Sequence, residues 1–226
     1  AVDAAAEFKL TPGRIAFKKL DFKAGPAKGS VTGPLAWDPV FSYDLAAKVK
    51  VQVPEMDSGA LAKKFPSVPK GFHIPLTEIE ADAALKPGSV KLKRAKLSAA
   101  SLSAEFSGEF SPEPLSAAGA VKFTAGDAHD LGAIYPPLKS YALGGGAGGN
   151  IAFTYNKALE LSGKVSLNGL SAKFAGRQLS GLKGAVELSK DRISAENLTG
   201  KLDGEDLKAG FSAKNYSSHP QVLLNL

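Results

Sequence analysis

Residues 165–213 read VSLNGLSAKFAGRQLSGLKGAVELSKDRISAENLTGKLDGEDLKAGFSA, and apolar residues occupy every second position in run after run. Within this stretch Leu207, Ala209 and Phe211 alternate with polar residues and glycine. A period of two places successive side chains on opposite faces of a β-strand. Short polar pairs separate the runs and predict turns: Asn168-Gly169, Gly176-Arg177, Lys190-Asp191 and Asp203-Gly204. The last is typical of a two-residue hairpin turn. The stretch therefore predicts an antiparallel meander with one apolar face and one face in water.

The same alternation recurs along the rest of the chain. Residues 42–53 alternate without interruption and predict one long strand. Residues 144–149, GGGAGG, precede another alternating run. A phosphate-binding loop follows a strand and opens a helix, so this glycine run predicts a mobile loop or a tight bend of the sheet instead. The chain as a whole is predicted to be all-β.

Two short helical turns interrupt the strands. Residues 57–64 begin with Asp57, a good N-cap, and Pro66 stops the turn. The same arrangement returns 70 residues later, where Asp127, Leu131, Tyr135 and Pro136 match Asp57, Leu61, Phe65 and Pro66. Each turn is expected to cross over between one set of strands and the next.

Prolines mark the ends of larger repeat units. Asp38-Pro39, residues 112–114 and His219-Pro220 each follow a set of strands. We expect one continuous, elongated sheet fragment with units at 1–39, 40–114 and 115–220 and the start of another at 221–226. The chain opens at Ala1 without a methionine and closes within an apparent strand, which favours a piece of a longer protein.

The composition excludes several classes of function. The chain has no cysteine, which excludes disulfides, thiol nucleophiles and cysteine-based metal sites. Its net charge of +6 comes from basic residues scattered singly along strands. The densest group is Lys91, Lys93, Arg94 and Lys96, which fits an outward strand face or, alternatively, a patch for anionic lipid headgroups. Without aromatic residues among the basic ones or a known motif, no nucleic-acid partner is expected. No apolar run is long enough for a membrane-spanning helix.

The sequence contains no recognisable catalytic or metal site. His73, His129 and His219 are separated from one another, and no serine lies in a nucleophile elbow. Asp127, His129 and Asp130 form a short polar group, but Asp127 has a simpler role as a helix cap. We therefore expect a protein that is not an enzyme and that uses no cofactor or metal.

Three segments resemble the AsmA-like family of bacterial envelope proteins: residues 179–188, LSGLKGAVEL; residues 193–211, ISAENLTGKLDGEDLKAGF; and the proline that follows, Pro220. The resemblance covers most of the chain loosely. It implies a long, twisted, open β-sheet of repeated antiparallel meanders, with an apolar, taco-like groove. It also implies a periplasmic location, attachment to the inner membrane by a segment outside this fragment, and a role in phospholipid transport between membranes or in outer-membrane homeostasis and assembly.

The expected function depends on where the apolar face goes. Two short helical turns cannot cover a dozen strands, so the face either fills a dry core or remains an open groove for acyl chains. Alternation leaves both possibilities open. The leading hypothesis is a groove that shields phospholipid acyl chains; the alternatives are an assembly factor that pairs its strand edges with outer-membrane or envelope proteins, and a closed β-sandwich binding module. The candidate groove-lining residues are Val49, Val51, Leu167, Phe174, Val186, Leu188, Ile193, Leu207 and Phe211.

Overall fold

The structure, a computed structural model, describes residues 2–59, 71–214 and 221–225. It is all-β, with 75% of residues in strands and 7% in helices. Nearly all strands belong to one fifteen-stranded antiparallel sheet, and two short strands form a separate ribbon. The prediction of repeated antiparallel meanders in a long, open sheet is confirmed.

The seventeen described strands differ greatly in length. Their bounds are β1 Val2–Thr11, β2 Arg14–Ala24, β3 Ala27–Ala36, β4 Ser42–Tyr43, β5 Leu45–Val53, β6 Met56–Asp57, β7 His73–Ile74, β8 Thr77–Lys86, β9 Ser89–Ala99, β10 Leu102–Pro112, β11 Leu115–Ala125, β12 Gly144–Asn156, β13 Ala158–Phe174, β14 Arg177–Ser189, β15 Arg192–Leu202, β16 Glu205–Lys214 and β17 Gln221–Asn225. Helix α1 spans His129–Ile134, and a 3-10 helix spans Pro136–Tyr141.

The sheet grows by adding one strand after another. Its order is β1-β2-β3-β5-β8-β9-β10-β11-β12-β13-β14-β15-β16-β17, with β4 beside the end of β3. At a spacing of about 4.8 Å between strands, the sheet extends about 60 Å from β1 to β17. Because β1 and β17 do not pair with each other, the sheet is open and not a closed barrel. The described long strands all belong to this one sheet, and not to the two packed sheets of the alternative sandwich.

The strand registers divide the side chains into an apolar face and a polar face. Directly paired residues share a face, as do alternate residues along each strand. Val49 pairs with Gly29 on β3 and Ala81 on β8, whereas Lys50 pairs with Lys28 and Glu80. Following this register through every strand gives one face of aliphatic, aromatic and glycine residues, together with the buried Thr77. Among described residues with a cross-strand partner, Arg177 and Glu205, at hairpin tips, are the only charged ones on it.

Glycines directly opposite phenylalanines shape the apolar face. Phe22 pairs with Gly29, Phe123 with Gly149, and Phe153 with Gly119. A Cβ at Gly29 would lie 2.8 Å from the Phe22 ring and 2.4 Å from the Lys48 carbonyl oxygen. The absence of a Cβ lets the ring and the neighbouring backbone come this close, which is how glycine permits curvature in a sheet.

The molecule lacks the large core of a compact protein. Its accessible surface is 14523 Å², whereas a compact monomer of 23.4 kDa would expose about 9,700 Å². The buried apolar residues are mostly alanines, with Leu182 and Leu198 the only large ones among the described residues. The apolar face is therefore mostly half-buried against its own neighbours in a single layer.

Two long connections leave the same end of the sheet, which we name the crossover end. Residues 54–76 join β5 to β8, and residues 126–143 join β11 to β12. Asp57 lies in β6 and only Ser58 and Gly59 are helical before residues 60–64, which lie outside the described residues. Helix α1 confirms the second predicted turn, and the Asp127 carboxylate accepts a hydrogen bond from the His129 backbone N–H at 2.9 Å.

Three local features differ from what the sequence predicts. Residues 144–149 form the start of β12 and not a loop: Gly144 and residues 146–149 pair with β13, and residues 147–149 also pair with β11. The alternative of a tight bend fits Gly145, which lies at a bulge with a φ of +79°. Asn168-Gly169 is a bulge within β13 and not a turn. Residues 42–53 are split into β4 and β5 at Asp44, whose backbone N–H donates to the Pro34 carbonyl at 3.1 Å.

Candidate functional site

All nine residues predicted to line a groove lie on the apolar face. Val49 and Val51 are on β5, and the other seven are on β13 to β16. Eight of the nine are half-buried, and Phe174, near a hairpin tip, is 63% exposed. The face is continuous between the two groups because the five intervening strands keep the same alternation.

The residues on β13 to β16 converge on the most tightly packed part of the molecule. Leu182, Ala195 and Leu198 form a buried cluster, and Leu167, Val186 and Phe211 are among the residues packed against it. Leu188 and Ile193 are directly opposite each other beside this cluster, and Leu207 lies opposite Gly200. This end of the face has a floor of packed aliphatic side chains.

The structure does not bring Val49 and Val51 into that cluster. Five strands separate β5 from β13, which corresponds to about 29 Å across the sheet. Val51 instead pairs with Ala27 and Ile79 near the crossover end. The nine residues therefore mark two regions of one extended surface and do not form a compact pocket.

Near Val51 the apolar face deepens into a cavity of about 470 Å³ at the crossover end. Residues of the sheet form its floor, and the β6–β7 ribbon and Ile134 of helix α1 form its walls. The lining residues are Val53, Ser58, Phe72, His73, Ile74, Pro75, Thr77, Ile79, Leu97, Ala99, Leu102 and Ile134. A cavity of this size and composition suits an apolar ligand segment.

The polar groups in the cavity wall are already used within the protein. Ser58, 2% exposed, donates its backbone N–H to the Phe72 carbonyl at 2.8 Å, and its hydroxyl accepts the Phe72 N–H at 3.0 Å. The buried Thr77 hydroxyl donates to the Pro75 carbonyl at 2.7 Å. With these groups satisfied, the cavity offers a ligand almost entirely apolar contact.

His73 fixes the two strands of the ribbon at the cavity rim. Its Nδ1 lies 3.1 Å from Asp57 Oδ1, and its Nε2 lies 2.8 Å from Glu55 Oε1. Because an ionised carboxylate only accepts hydrogen bonds, this arrangement suits the doubly protonated imidazolium. Hydrogen bonds to Asp57 and then Glu55 hold the pKa of His73 above its ordinary value of 6.5.

We expect an NMR titration to place the pKa of His73 above 6.5, and Asp57→Asn to lower it. A raised pKa means that the imidazolium stabilises the ribbon fully below pH 6.5 and that this contribution is lost as the pH rises through the folded-state pKa. Asp127→Asn, which removes a carboxylate beside His129, is the control and should leave the His73 pKa unchanged. A His73 pKa at or below its ordinary value in the unaltered protein would contradict the ion pairs.

Sequence reasoning missed the cavity, although part of it was visible in the pattern. Ile79, Leu97 and Leu102 follow the alternation of their strands and share the face of Val51. The ribbon residues Phe72 and Ile74 carry no periodic signal, because β7 has only two residues. Their position depends on a stacked pair between Phe72 and Tyr135, whose ring centroids lie 4.8 Å apart.

The polar face carries cross-strand ion pairs. Lys50 Nζ lies 2.8 Å from Glu80 Oε1 and 3.5 Å from Glu78 Oε2, and the hydrogen bond to Glu80 raises the pKa of Lys50 and lowers that of Glu80. Arg94 pairs with Glu105 at 2.8 Å. Lys91, Arg94 and Lys96 lie on this face by register, as predicted for an outward strand face; Lys93 lies at a bulge.

In the part of the chain that the structure describes, no group of three or more potential ligands is arranged to hold a metal ion. Nor does any described helix have the length and apolar character needed to cross a membrane. Comparisons of the chain with protein-family models, curated proteins and solved structures find no match. The apolar face, its packed region on β13 to β16 and its cavity at the crossover end are thus the candidate site.

Proposed function

We propose that this chain is part of a non-enzymatic bacterial envelope protein whose apolar sheet face shields phospholipid acyl chains during transport between membranes. The observation that carries the proposal is an apolar face that runs across the whole sheet. Among the described residues with a cross-strand partner, the only charged ones on this face are at hairpin tips. A face of this extent is far larger than the apolar patches of soluble monomers. It needs an apolar partner, and a hydrocarbon chain has the complementary chemistry.

The surface suits acyl chains better than a ligand with many polar groups. Burial of a methylene group stabilises a complex by about 0.8 kcal/mol and requires no particular direction of contact. Along the face, aliphatic residues such as Val49, Val165 and Val186 offer similar contacts from strand to strand, so a chain can move sideways without breaking a strong interaction. The cavity near Val51 would accept a chain end, while headgroups remain at the wet rim.

A second candidate function rests on the open edges of the sheet. Every residue of β1 is exposed, and one side of its backbone has no partner strand among the described residues. Such an edge can pair with a strand of another protein. This is the basis for an assembly factor of outer-membrane or envelope proteins, acting through backbone hydrogen bonds and independently of the apolar face.

The test is native mass spectrometry with lipid extraction on this chain purified from membranes in mild detergent. We expect bound phospholipid, and we expect Val49→Asp and Leu188→Asp each to reduce the bound fraction at least tenfold, because a buried carboxylate opposes an acyl chain. Val49 and Leu188 lie in the two regions of the face, so both variants test its continuity.

Ser166→Asp is the matched control, because Ser166 is exposed on the polar face of β13, opposite Gly148 and Ala185. It adds the same charge and should keep the lipid. Circular dichroism establishes that each variant retains its strands. A lipid-free, monomeric and cooperatively folded parent protein would overturn the acyl-chain proposal and favour the edge-pairing function.

A further inference from the structure

The polar face holds a lysine cluster that the acyl-chain proposal does not use. Lys23 on β2 lies directly opposite Lys28 on β3, and Lys28 lies directly opposite Lys50 on β5. Directly opposed like charges in an antiparallel sheet are unfavourable. Three lysines in a row across three strands therefore raise the question of which anion compensates them.

Among the described residues, only one member of this row forms ion pairs with carboxylates. Lys50 is held by Glu78 and Glu80 from the next strand. Lys23 and Lys28 are exposed, and neither has an ion pair or hydrogen bond with another described residue. The nearest acid on β2, Asp21, is bound by Lys19 at 2.7 Å. Asp3 on β1 lies directly opposite Lys23 but forms no ion pair with it. Lys28 has lysines on both sides and no acid directly opposite it.

The surface beside this row is concave. A depression of about 820 Å³ crosses β2, β3, β5, β8 and β9 on the polar face. Its cationic lining residues are Lys19, Lys28, Lys48, Lys50, Arg94 and Lys96, against the acids Asp21, Glu80 and Asp82. A concave surface with an excess of one charge concentrates its potential and attracts counter-ions.

We propose that Lys28, which lines this depression, and Lys23, directly opposite it on β2, bind a terminal phosphate group, either inorganic phosphate or the phosphomonoester of a lipid headgroup. Such a group carries a charge of about −2 and several strong acceptor oxygens, which match two neighbouring ammonium groups. Lysine binds phosphate as a point charge, and two lysines on facing strands can share one phosphate. The site is on the face opposite the acyl-chain surface and does not depend on that proposal.

The first experiment measures thermal unfolding in phosphate and in sodium chloride of the same ionic strength. A ligand that binds the folded state raises the unfolding temperature with its concentration, so phosphate should stabilise the protein more than chloride does. Lys28→Gln should weaken the apparent phosphate affinity about tenfold, the effect of one lost hydrogen bond to a charged group. In chloride it should unfold at the same or a higher temperature than the parent, because a repulsive pair is gone.

The matched control is Lys208→Gln. Lys208 is exposed on the same face but lies opposite Thr199 on β15, far along the sheet. This variant should keep the full phosphate effect. Equal stabilisation by phosphate and chloride in the parent, or an equal loss of the phosphate effect in both variants, would overturn the proposal.

The second experiment identifies the source of the phosphate. Flotation with phosphatidylcholine vesicles, with and without phosphatidic acid, is compared for the parent and Lys28→Gln. Binding that requires both phosphatidic acid and Lys28 supports a lipid phosphomonoester. A phosphate effect in solution without Lys28-dependent flotation supports free phosphate, and no Lys28 dependence in either experiment excludes the site.

Discussion

Gly163→Ala should lower the free energy of unfolding by about 3 kcal/mol, the sum of a steric and a backbone cost. Gly163 lies on the apolar face of β13 between Ile151 and Leu188. A Cβ there would lie 2.2 Å from the Asn150 carbonyl oxygen and 2.8 Å from the Ile151 Cα. Because both atoms belong to the backbone, no side-chain rotation can relieve the contact. The φ of +153° adds strain for any residue with a Cβ.

The measurement is urea unfolding followed by circular dichroism, with Gly126→Ala as the control. At Gly126 the nearest atom to a new Cβ is Ser101 Cβ at 3.5 Å, an ordinary contact. The control should change stability by less than about 0.5 kcal/mol. If Gly163→Ala were as stable as the control, β12 and β13 would not approach each other as closely as the structure has them.

Leu198→Ala should destabilise the protein by about 3 kcal/mol, as large-to-small substitutions in packed interiors do. Leu198 is 7% exposed and lies with Leu182 and Ala195 in the buried cluster of the apolar face. A Cβ added at Gly184 would lie 2.8 Å from the Leu198 Cδ2. The leucine therefore fills the space that this glycine leaves. The smaller side chain would leave a void that the rigid strands cannot close.

The comparison is Leu159→Ala, on the same face but 61% exposed. Urea unfolding of lipid-free protein should give a change below about 0.5 kcal/mol for this variant. If both variants lost a similarly large amount of unfolding free energy, another layer of protein would have to cover the whole face, contrary to an open sheet. If both variants lost only a small amount of unfolding free energy, the cluster on β13 to β16 would not be packed.

Alternation alone predicted the sheet and the face of every candidate residue. Val49 and Phe211 are far apart in sequence, yet a period of two assigns both to the apolar side once each strand pairs in register. The Asp203-Gly204 pair likewise predicted a turn. The structure has positive φ at both residues, 53° and 93°, as a two-residue hairpin turn of this type requires. These features depend only on neighbouring residues.

The features that prediction missed depend on the neighbouring strand. Residues 144–149 have the composition of a loop, but β13 supplies backbone partners for Gly144 and residues 146–149, and β11 does so for residues 147–149, so the segment forms a strand. At residues 168–169 a bulge absorbs the turn-forming pair within β13. The cavity depends on a ribbon of two-residue strands that no periodicity marks. The AsmA-like resemblance stays a prediction.

The strand order has a consequence for cooperativity. Nearly every strand touches only the strands on either side, so the sheet behaves as a one-dimensional array in which stability is a sum of nearest-neighbour terms. In such an array a local defect loosens the adjoining strands and its effect fades with distance. The exposed outermost strands open first, and the packed cluster on β13 to β16 opens last. The molecule can therefore vary in length by gaining or losing hairpins without redesign of a central core.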